Sequence, residues 1–367
     1  MTAGVLHVDT GVSWRGGQRQ VLFLHRGLLG LGVRSRLVCS RGGELLRRAH
    51  REGLPAEGLP LRGEWDLWSA LRLARIARRE GVSVLHAHSS HAQALALLAR
   101  ALGWRGPVVA TRRVDFVPRP HPLNRWKYHG VSRLVVISRA VRDIMLGFGL
   151  PPDKIRVVPS GVEPAPAPPG AGARFRESVG VSAGEKLVGN VAHLADHKGQ
   201  RYLIDAVGPV VERVPGARFV IVGTGELEAP LKARAADLGL GDRVVFAGFR
   251  EDVPAVLEGL DVFVMSSHLE GLGTSVMDAL LAGKPVVATR AGGIPDIIED
   301  GVHGVLVPPR DPAALAEAIV RVLENPGWAE GMARAGRDRV LREFSVEAMV
   351  RGCLRVYREL GLEVPGR

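Results

Sequence analysis

Short apolar runs alternate with amphipathic stretches along almost the whole chain of 367 residues. Runs of three to six mainly aliphatic residues predict buried strands, whereas apolar positions three and four apart, as in 67–79, predict helices. The alternation predicts βαβ units, and therefore an α/β protein with doubly wound, Rossmann-like parallel sheets covered by helices. The predicted strands are Val5–Val8, Ser35–Cys39, Val82–Ala87, Val108–Thr111, Leu134–Ile137, Ile155–Val158, Leu187–Ala192, Phe219–Val222, Val244–Phe246, Val262–Met265, Val286–Ala288 and Val305–Val307.

A segment rich in Pro and Gly, residues 159–172, divides the chain, because such a composition continues neither a helix nor a central strand. The length also exceeds that of one ordinary core. We therefore predict two domains, 1–163 and 164–345, followed by a helix in 346–367 that packs back toward the first domain. Parallel sheets bind ligands beyond the carboxyl ends of their strands, so two such domains predict a shared cleft.

The composition is ordinary, with 46% apolar and 24% charged residues, which argues against disorder. The charge, however, is distributed unevenly along the chain. Residues 1–170 contain 26 Lys/Arg against 11 Asp/Glu, while the remainder is mildly acidic. A basic half predicts an anionic partner, such as a membrane face or a phosphorylated substrate; the alternative is a solvated, Arg-rich surface. With 5% aromatic residues the basic half lacks a stacking platform, so nucleic acid is a poor candidate.

The lengths of the apolar runs, the N-terminal sequence and the cysteines together indicate the cellular compartment. No apolar run approaches the roughly 18–20 residues of a membrane span, and the N-terminus has no signal-peptide pattern. Cys39 and Cys353 form neither a disulfide framework nor a zinc motif. We therefore expect a cytoplasmic protein, in contact at most with the inner face of a membrane.

A glycine-rich loop follows the first predicted strand and opens a helix at Gly16 and Gly17. Glycines there let backbone amides approach a phosphate, and the helix N-terminus adds partial positive charge, although a plain tight turn would look similar. The loop matches neither the nicotinamide nor the P-loop motif.

Histidines mark the end of the third predicted strand, at His86, His88 and His91, and three histidines invite a metal site. We expect the side chains of His86 and His88 to point to opposite faces of the strand, so that they cannot share a metal. His86 is then a packed or capping residue, and His88 is a candidate substrate contact.

The second half carries two further candidate phosphate sites. Lys198 stands just before a helix that begins near Gly199, where a lysine can bind diphosphate, although an isolated surface lysine is usually just solvated. After a later strand, Thr274 opens a helix and Asp278 lies on the same face, four residues on. Glu270 precedes this helix and could accept from sugar hydroxyls; the alternative is a Thr-capped helix with acids near its positive end.

These segments together resemble the retaining glycosyltransferases of family 4, which have the two-domain GT-B fold. The resemblance extends over nearly the entire chain, with the matching segments in the correct order. The matching segments are Val136-Ile-Ser-Arg-Ala-Val, Pro152-Asp-Lys-Ile-Arg-Val-Val-Pro-Ser-Gly-Val-Glu163, Lys198-Gly199, Val222-Gly-Thr-Gly-Glu, the segment around Glu270, and Ala291-Gly-Gly-Ile-Pro-Asp296.

The resemblance implies a UDP-, GDP- or ADP-sugar donor bound mainly by the second domain. Lys198 corresponds to a lysine that neutralises the diphosphate, whereas His193 stands where the family has an arginine. Glu270 corresponds to the family glutamate that contacts the donor sugar, and Asp278 replaces the glutamate that contacts the ribose. The donor-binding residues that it implies are Gly16, Gly17, His193, Lys198, Gly223, Arg250, Glu270, Gly271, Leu272, Gly273, Thr274, Ser275 and Asp278.

The resemblance further implies that the first domain binds the acceptor, a hydroxyl of a glycan or of a lipid-linked molecule. We expect His88, Arg112 and Arg113 to contact the acceptor, and His88, Lys198 and Glu270 to be the catalytic residues. No DxD motif stands in a suitable loop, so we expect no metal and no cofactor: Lys198 and helix dipoles would stabilise the departing diphosphate. The family mechanism is front-face attack by the acceptor hydroxyl, with the leaving phosphate oxygen as base.

The sequence leaves two alternative functions open and indicates one candidate surface for an anionic partner. The alternatives are a GT-B-like sugar-nucleotide epimerase and a sugar-nucleotide-binding protein without catalysis, the latter because of His193 and Asp278. The basic first half suggests an anionic acceptor or membrane. Arginines around Phe116-Val117 would make that contact unless they simply face water, namely Arg112, Arg113, Arg119 and Arg125.

Overall fold

A computed structural model describes residues 4–363, which divide into two compact units. Unit 1 holds residues 4–161 together with residues 346–363, and unit 2 holds Val162–Ser345. Each unit contains one parallel sheet with helices packed against it, which confirms the predicted α/β class.

The sheet of unit 1 has seven strands and that of unit 2 has six. In unit 1 the strands are β1 (Gly4–Asp9), β2 (Arg34–Ser40), β3 (Ala56–Leu59), β4 (Val82–Ala87), β5 (Val108–Arg112), β6 (Arg133–Val136) and β7 (Ile155–Val157), in the order β3-β2-β1-β4-β5-β6-β7. In unit 2 they are β8 (Lys186–Val191), β9 (Ala217–Val222), β10 (Val244–Gly248), β11 (Val262–Met265), β12 (Val286–Thr289) and β13 (Val305–Val307), in the order β10-β9-β8-β11-β12-β13.

Helices connect almost every pair of consecutive strands. In unit 1 they are α1 (Gly16–Gly30), α2 (Glu44–Arg51), α3 (Leu67–Arg79), α4 (Ser90–Ala101), α5 (Pro122–Gly130) and α6 (Arg139–Gly147). In unit 2 they are α7 (Ala171–Ser178), α8 (Gln200–Arg213), α9 (Glu228–Asp237), α10 (Val253–Gly259), α11 (Thr274–Leu281), α12 (Ile294–Ile297), α13 (Pro312–Glu324) and α14 (Pro326–Glu343). The last helix, α15 (Val346–Arg358), belongs to unit 1.

Twelve of the thirteen strands coincide with runs predicted from the sequence, and the exception is β3. Its sequence, Ala-Glu-Gly-Leu, has no β-branched residue, and three of its four residues are only partly buried at the edge of the sheet. Side-chain caps set several helix starts: Ser89, Ser138 and Asp311 each accept a hydrogen bond from an amide in the first turn.

The C-terminal helix α15 packs on the sheet and α1 of unit 1. Val350 and Leu354 of α15 join the same buried cluster as Val5 of β1, and Tyr357 is fully buried. A Cβ at Gly27 of α1 would lie 2.5 Å from Val350 Cγ2, so the contact requires glycine there. The last helix is therefore part of the core of unit 1.

Unit 2 has an almost entirely aliphatic core between its sheet and the pair α8 and α13. The cluster includes Val188 and Val262 from the sheet, Ile204 from α8 and Ile319 from α13. Within residues 4–363, no helix combines the length and apolar character needed to cross a membrane.

Candidate active site

The central site of unit 2 lies where the carboxyl ends of β8 and β11 meet. β8 is the first strand of this unit and lies between β9 and β11, so the chain reverses direction across the sheet here, which favours ligand binding. The backbone of Gly199 adopts a φ of 65°, and a Cβ there would lie 2.2 Å from the Ser266 carbonyl oxygen. Glycine at this position therefore lets the loop after β8 approach the loop after β11.

Lys198 and Glu270 form an ion pair at this point. The distance from Lys198 Nζ to Glu270 Oε2 is 2.6 Å, and the side chains are 19% and 11% exposed. Ser267 Oγ donates a weaker hydrogen bond of 3.4 Å to the same carboxylate oxygen. The structure thus brings together the two residues of unit 2 that the sequence predicts as catalytic.

The backbone around Glu270 is held from the loop after β12. The amide of Gly293 donates to the Glu270 carbonyl over 2.9 Å. Gly292 has a φ of 50°, and a Cβ there would lie 1.8 Å from the same carbonyl oxygen. Only glycine fits so close to the Glu270 backbone, so the loop after β12 holds the backbone of Glu270 in place.

The helix α11 begins next to Glu270 with Gly273 at its N-cap, in the left-handed conformation, and without a side-chain cap. The alternative of a Thr-capped helix is therefore wrong: Thr274 lies in the first turn and not at the cap. Ser275 shares that turn, and Asp278 lies one turn further and is partly buried. The partial positive charge of this helix end faces the site without an acidic residue in its first turn.

Two more pairs of polar side chains flank the carboxyl edge of unit 2. His193 Nε2 lies 3.3 Å from Glu226 Oε2, and both side chains are exposed. Arg250 forms a bidentate pair with Asp252, with distances of 2.8 and 2.6 Å. This hydrogen bonding raises the pKa of Arg250 and lowers that of Asp252.

The predicted site residues of unit 2 thus share one edge of one sheet. Gly223 directly follows β9 with a φ of 139°, and a Cβ there would lie 2.0 Å from the Ala192 carbonyl oxygen after β8. Gly271 and Leu272 are buried beside Glu270.

The carboxyl edge of unit 1 carries a cluster of buried histidines. His7 of β1 is paired in register with His86 of β4, and His88 lies just beyond the end of β4. The ring centroids of His86 and His88 are 4.0 Å apart, and His7 Nδ1 lies 2.9 Å from His88 Nε2. Our expectation of opposite faces is therefore wrong, because side chains two positions apart lie on the same face of a strand.

The histidine cluster is uncharged. Burial lowers the pKa of His7, His86 and His88 well below the ordinary value, and for His88 the neighbouring His86 and Arg113 contribute further. Arg113 Nη2 lies 3.4 Å from His88 Nδ1, and a guanidinium only donates. We therefore assign the proton of His88 to Nε2, from which it is donated to His7 Nδ1.

The nitrogens of His7, His86 and His88 all lie within 4.8 Å of one another, close enough to suggest a metal site. Hydroxyl groups, however, engage both nitrogens of His86: Tyr357 at 2.5 Å and Thr111 at 2.6 Å. The adjacent guanidinium of Arg113 would also repel a cation. We interpret the group as a hydrogen-bonded cluster that orients His88.

The two neighbouring arginines of unit 1 have different surroundings. Arg112 is buried and donates to Tyr128 Oη and to the Phe116 carbonyl oxygen, so these donors are engaged within unit 1, and its acceptor contact stays a prediction. Arg113 Cδ would lie 4.0 Å from a Cβ at Gly17, beside the start of α1. Its Nε and Nη1 are buried without a hydrogen-bond partner among residues 4–363.

The predicted site residues of unit 1 also lie at the carboxyl edge of their sheet: Gly16 and Gly17 at the start of α1, His88 just after β4, and Arg112 and Arg113 at the end of β5. Sequence reasoning missed His7, whose only signal was its place in a predicted strand beside the strand of His86. It also missed Glu226, the partner of His193, although the motif Val222-Gly-Thr-Gly-Glu contains it.

Similarity to known proteins identifies the family. Residues 173–339 match the family described as glycosyl transferases group 1, and residues 14–165 match glycosyltransferase family 4. The chain is 31% identical over 306 residues to the 2-deoxystreptamine glucosyltransferase of Streptomyces kanamyceticus, an alignment covering 81% of this chain and 76% of that protein. The chain belongs to the group 1 glycosyltransferases.

Other relatives agree with this family. The alpha-D-kanosaminyltransferase of Streptomyces kanamyceticus is 27% identical over 351 residues, covering 86% of this chain and 90% of that protein. Among solved structures, HepE of Anabaena in complex with UDP has a TM-score of 0.86 at 22% identity, covering 97% and 100% of the two chains. The predicted GT-B fold is confirmed, and membership of this family favours a glycosyltransferase over the epimerase and the non-catalytic protein.

Proposed function

We propose that this glycosyltransferase transfers a sugar from a nucleotide-diphospho-sugar to an acceptor hydroxyl, with retention of anomeric configuration and without a metal ion. The observation that carries the proposal is the ion pair of Lys198 and Glu270, placed between the starts of α8 and α11. A nucleotide-sugar donor is further supported by similarity in fold to HepE of Anabaena, which was solved in complex with UDP and with UDP-glucose.

In this proposal, the diphosphate of the donor takes the place of Glu270 as the partner of Lys198. The ammonium group of Lys198 and the amides at the starts of α8 and α11 neutralise the charge that develops on the leaving phosphate. Glu270, released from the lysine and held by its backbone, accepts hydrogen bonds from hydroxyls of the donor sugar. The edge of unit 2 thus binds the donor and stabilises the leaving group by electrostatics alone.

The remaining donor contacts follow from the same edge. His193 replaces an arginine and contributes a positive charge to the diphosphate only when it is protonated. Asp278 would reach the ribose, and Gly223 and Arg250 border the nucleotide. We place no carboxylate opposite the leaving group, so we favour front-face attack in which the leaving phosphate oxygen accepts the proton of the acceptor hydroxyl.

The acceptor in this proposal binds to unit 1. The proton of His88 at Nε2 is committed to His7, so the acceptor hydroxyl would donate to His88 Nδ1 in place of the weak 3.4 Å contact from Arg113. The unpartnered donors of Arg113 favour an anionic group. We therefore propose an anionic glycan or lipid-linked acceptor, together with a peripheral contact between unit 1 and an anionic membrane.

A panel of UDP-, GDP- and ADP-sugars tests the proposal. Thermal shift identifies the donor, and NMR of the products reports whether the anomeric configuration is retained. Slow donor hydrolysis or transfer supports a transferase, whereas interconversion of free sugar nucleotides would indicate the epimerase. Binding without any turnover would contradict the proposed catalysis.

A further inference from the structure

An exposed aromatic surface lies on unit 1, outside the residues assigned above. Trp65, between β3 and α3, is 63% exposed, and Trp126 of α5 is 38% exposed. Their rings stack, with centroids 5.9 Å apart and 16° between the planes. Trp68, in the first turn of α3, is 53% exposed, and the guanidinium of Arg72 lies 5.1 Å from the centroid of one of its rings. Three of the six tryptophans of the chain therefore face solvent in this region.

A buried ion pair holds the stacked rings in place. Lys127, next to Trp126, donates to Glu64, next to Trp65, with 2.6 Å between Nζ and Oε1. The same ammonium group donates to Ser90 Oγ over 2.7 Å, and Gln93 Nε2 donates to the Lys127 carbonyl over 2.8 Å. Since Lys127 is only 3% exposed, this pair fixes α5 to the segment between β3 and α3 that carries Trp65. The aromatic surface is thus a built feature of the fold.

Positive charge surrounds these rings. Five arginines of the segments that carry these rings are exposed, namely Arg62, Arg72, Arg75, Arg119 and Arg125. Of the acids in these segments, Glu64 is paired with Lys127, and Asp66 and Asp115 are only partly exposed, so the exposed charge is predominantly positive. In the loop that leads to α5, Phe116 and Val117 are 60% and 67% exposed, and Arg119 is exposed as well.

We propose that Trp65, Trp68 and Trp126 insert into the headgroup region of an anionic membrane, with the surrounding arginines on the lipid phosphates. Indole rings favour the membrane–water interface, and arginines attract anionic lipids. The charge around the rings selects a negatively charged surface. A sugar ring cannot lie between Trp65 and Trp126, because they stack on each other. This inference rests on the membrane contact proposed above and assigns it to residues that the sequence did not indicate.

Vesicle binding tests the assignment. Vesicles of phosphatidylcholine alone, and mixed with phosphatidylglycerol, are prepared with and without bromine on the acyl chains, which quenches tryptophan fluorescence on contact. We expect the protein to bind the mixed vesicles, to lose binding at high salt, and to be quenched by the brominated lipid. The triple variant Trp65→Ala/Trp68→Ala/Trp126→Ala should lose about tenfold or more in vesicle partitioning. Phe249→Ala, at an equally exposed aromatic residue of unit 2, is the matched control and should bind normally.

The outcomes separate this inference from the proposed function. Transfer to a water-soluble acceptor, or donor hydrolysis, should be unchanged in the triple variant. Unchanged vesicle binding by that variant, or absence of quenching, overturns the assignment, as does protection of these tryptophans by a soluble acceptor or by self-association instead of lipid. If the protein never turns over a donor but binds vesicles through these rings, the proposed function fails and the membrane surface stands.

Discussion

The carboxyl edges of the two sheets carry different polar side chains, which are charged in unit 2 and neutral in unit 1. At the carboxyl edge of unit 2, Lys198 and Glu270 form a charged pair that remains partly open to solvent. At the carboxyl edge of unit 1, His7, His86 and His88 are buried, and their lowered pKa keeps them neutral. Both edges lie at the reversal of strand order, so topology places the two sites and the side chains give them different chemistry.

The difference shows what each edge can do. A charged pair can exchange one partner for a ligand of the same sign, as a diphosphate would replace Glu270, because the lysine then keeps a negatively charged partner. A buried neutral cluster cannot gain or lose charge cheaply, so it serves to fix the direction of hydrogen bonds. Unit 2 is therefore suited to a polyanion, and unit 1 to orienting a hydroxyl.

The largest expected effect is a loss of folding stability at acid pH, which should be greater in unit 1 than in unit 2. The fully buried histidines among residues 4–363 all belong to unit 1: His7, His25, His86 and His88. Burial lowers the pKa of His25 from 6.5 to about 4. Between pH 6.5 and about 4, His25 binds a proton in the unfolded chain but not in the folded chain. The free energy of unfolding therefore decreases as the pH falls through this range. This residue alone costs about 3 kcal/mol over that range.

Urea titrations at neutral and acid pH would measure this loss, with unit 1 followed through its two buried thiols, Cys39 and Cys353. A dipyridyl disulfide reagent labels thiols at acid pH and therefore reports when unit 1 opens. His25→Gln should reduce the dependence of stability on pH. Equal resistance of the thiols to labelling at both pH values would contradict the predicted difference.

The next largest effect is expected from removing the positive charge of the Lys198–Glu270 pair. Lys198→Ala should reduce transfer by roughly 100-fold or more, because the departing diphosphate loses a positioned cation. Lys232→Ala is the control, since Lys232 pairs with Glu228 on the exposed face of α9 in the same unit. Initial rates at saturating donor measure the effect. Activity of Lys198→Ala within threefold of the parent would remove Lys198 from the catalytic role.

Glu270→Ala tests the other half of the pair. We expect transfer to fall far more than binding of the bare nucleoside diphosphate, because Glu270 contacts the sugar. Calorimetric titration of the diphosphate, beside turnover of the sugar nucleotide, separates the two effects. Glu228→Ala is the matched control, and parallel losses in both measurements would move Glu270 away from the sugar.

A smaller effect comes from His193. His193→Arg should tighten donor binding by about threefold, because arginine places a permanent positive charge at this position. The new side chain also retains the acidic partner Glu226. Donor titrations at two pH values would show the gain, and weaker binding by the variant would mean that His193 lies away from the diphosphate.

The smallest effect expected is that of a chelator. EDTA should leave transfer unchanged, since Lys198 supplies the charge that a metal would provide and the histidine cluster is engaged in hydrogen bonds. Rates before and after dialysis against EDTA decide this point. Loss of activity that Zn²⁺, Mg²⁺ or Mn²⁺ restores would show a metal requirement.

The local pattern of the sequence was sufficient for the fold. Buried parallel strands are short aliphatic runs with regular helical stretches between them, so periodicity located β4, β11 and β13 to the residue. The half-buried edge strand β3 was missed because burial there comes from one side only and selects no such run. The sequence also predicted a helix that begins near Gly199, and α8 begins at Gln200.

Contacts between distant segments were decided by the tertiary structure. Local sequence shows that Lys198 and Glu270 each precede a helix, but their 2.6 Å ion pair depends on β8 and β11 being neighbours. The register of β1 against β4 likewise brings His7 to His88. The tertiary structure buries Arg112, whereas nearby arginines such as Arg119 are exposed. It also pairs Lys127 with Glu64, next to the stacked rings of Trp126 and Trp65, which are far apart in the chain. Sequence periodicity reports which side of an element is buried; it carries no information on which distant side chain packs there.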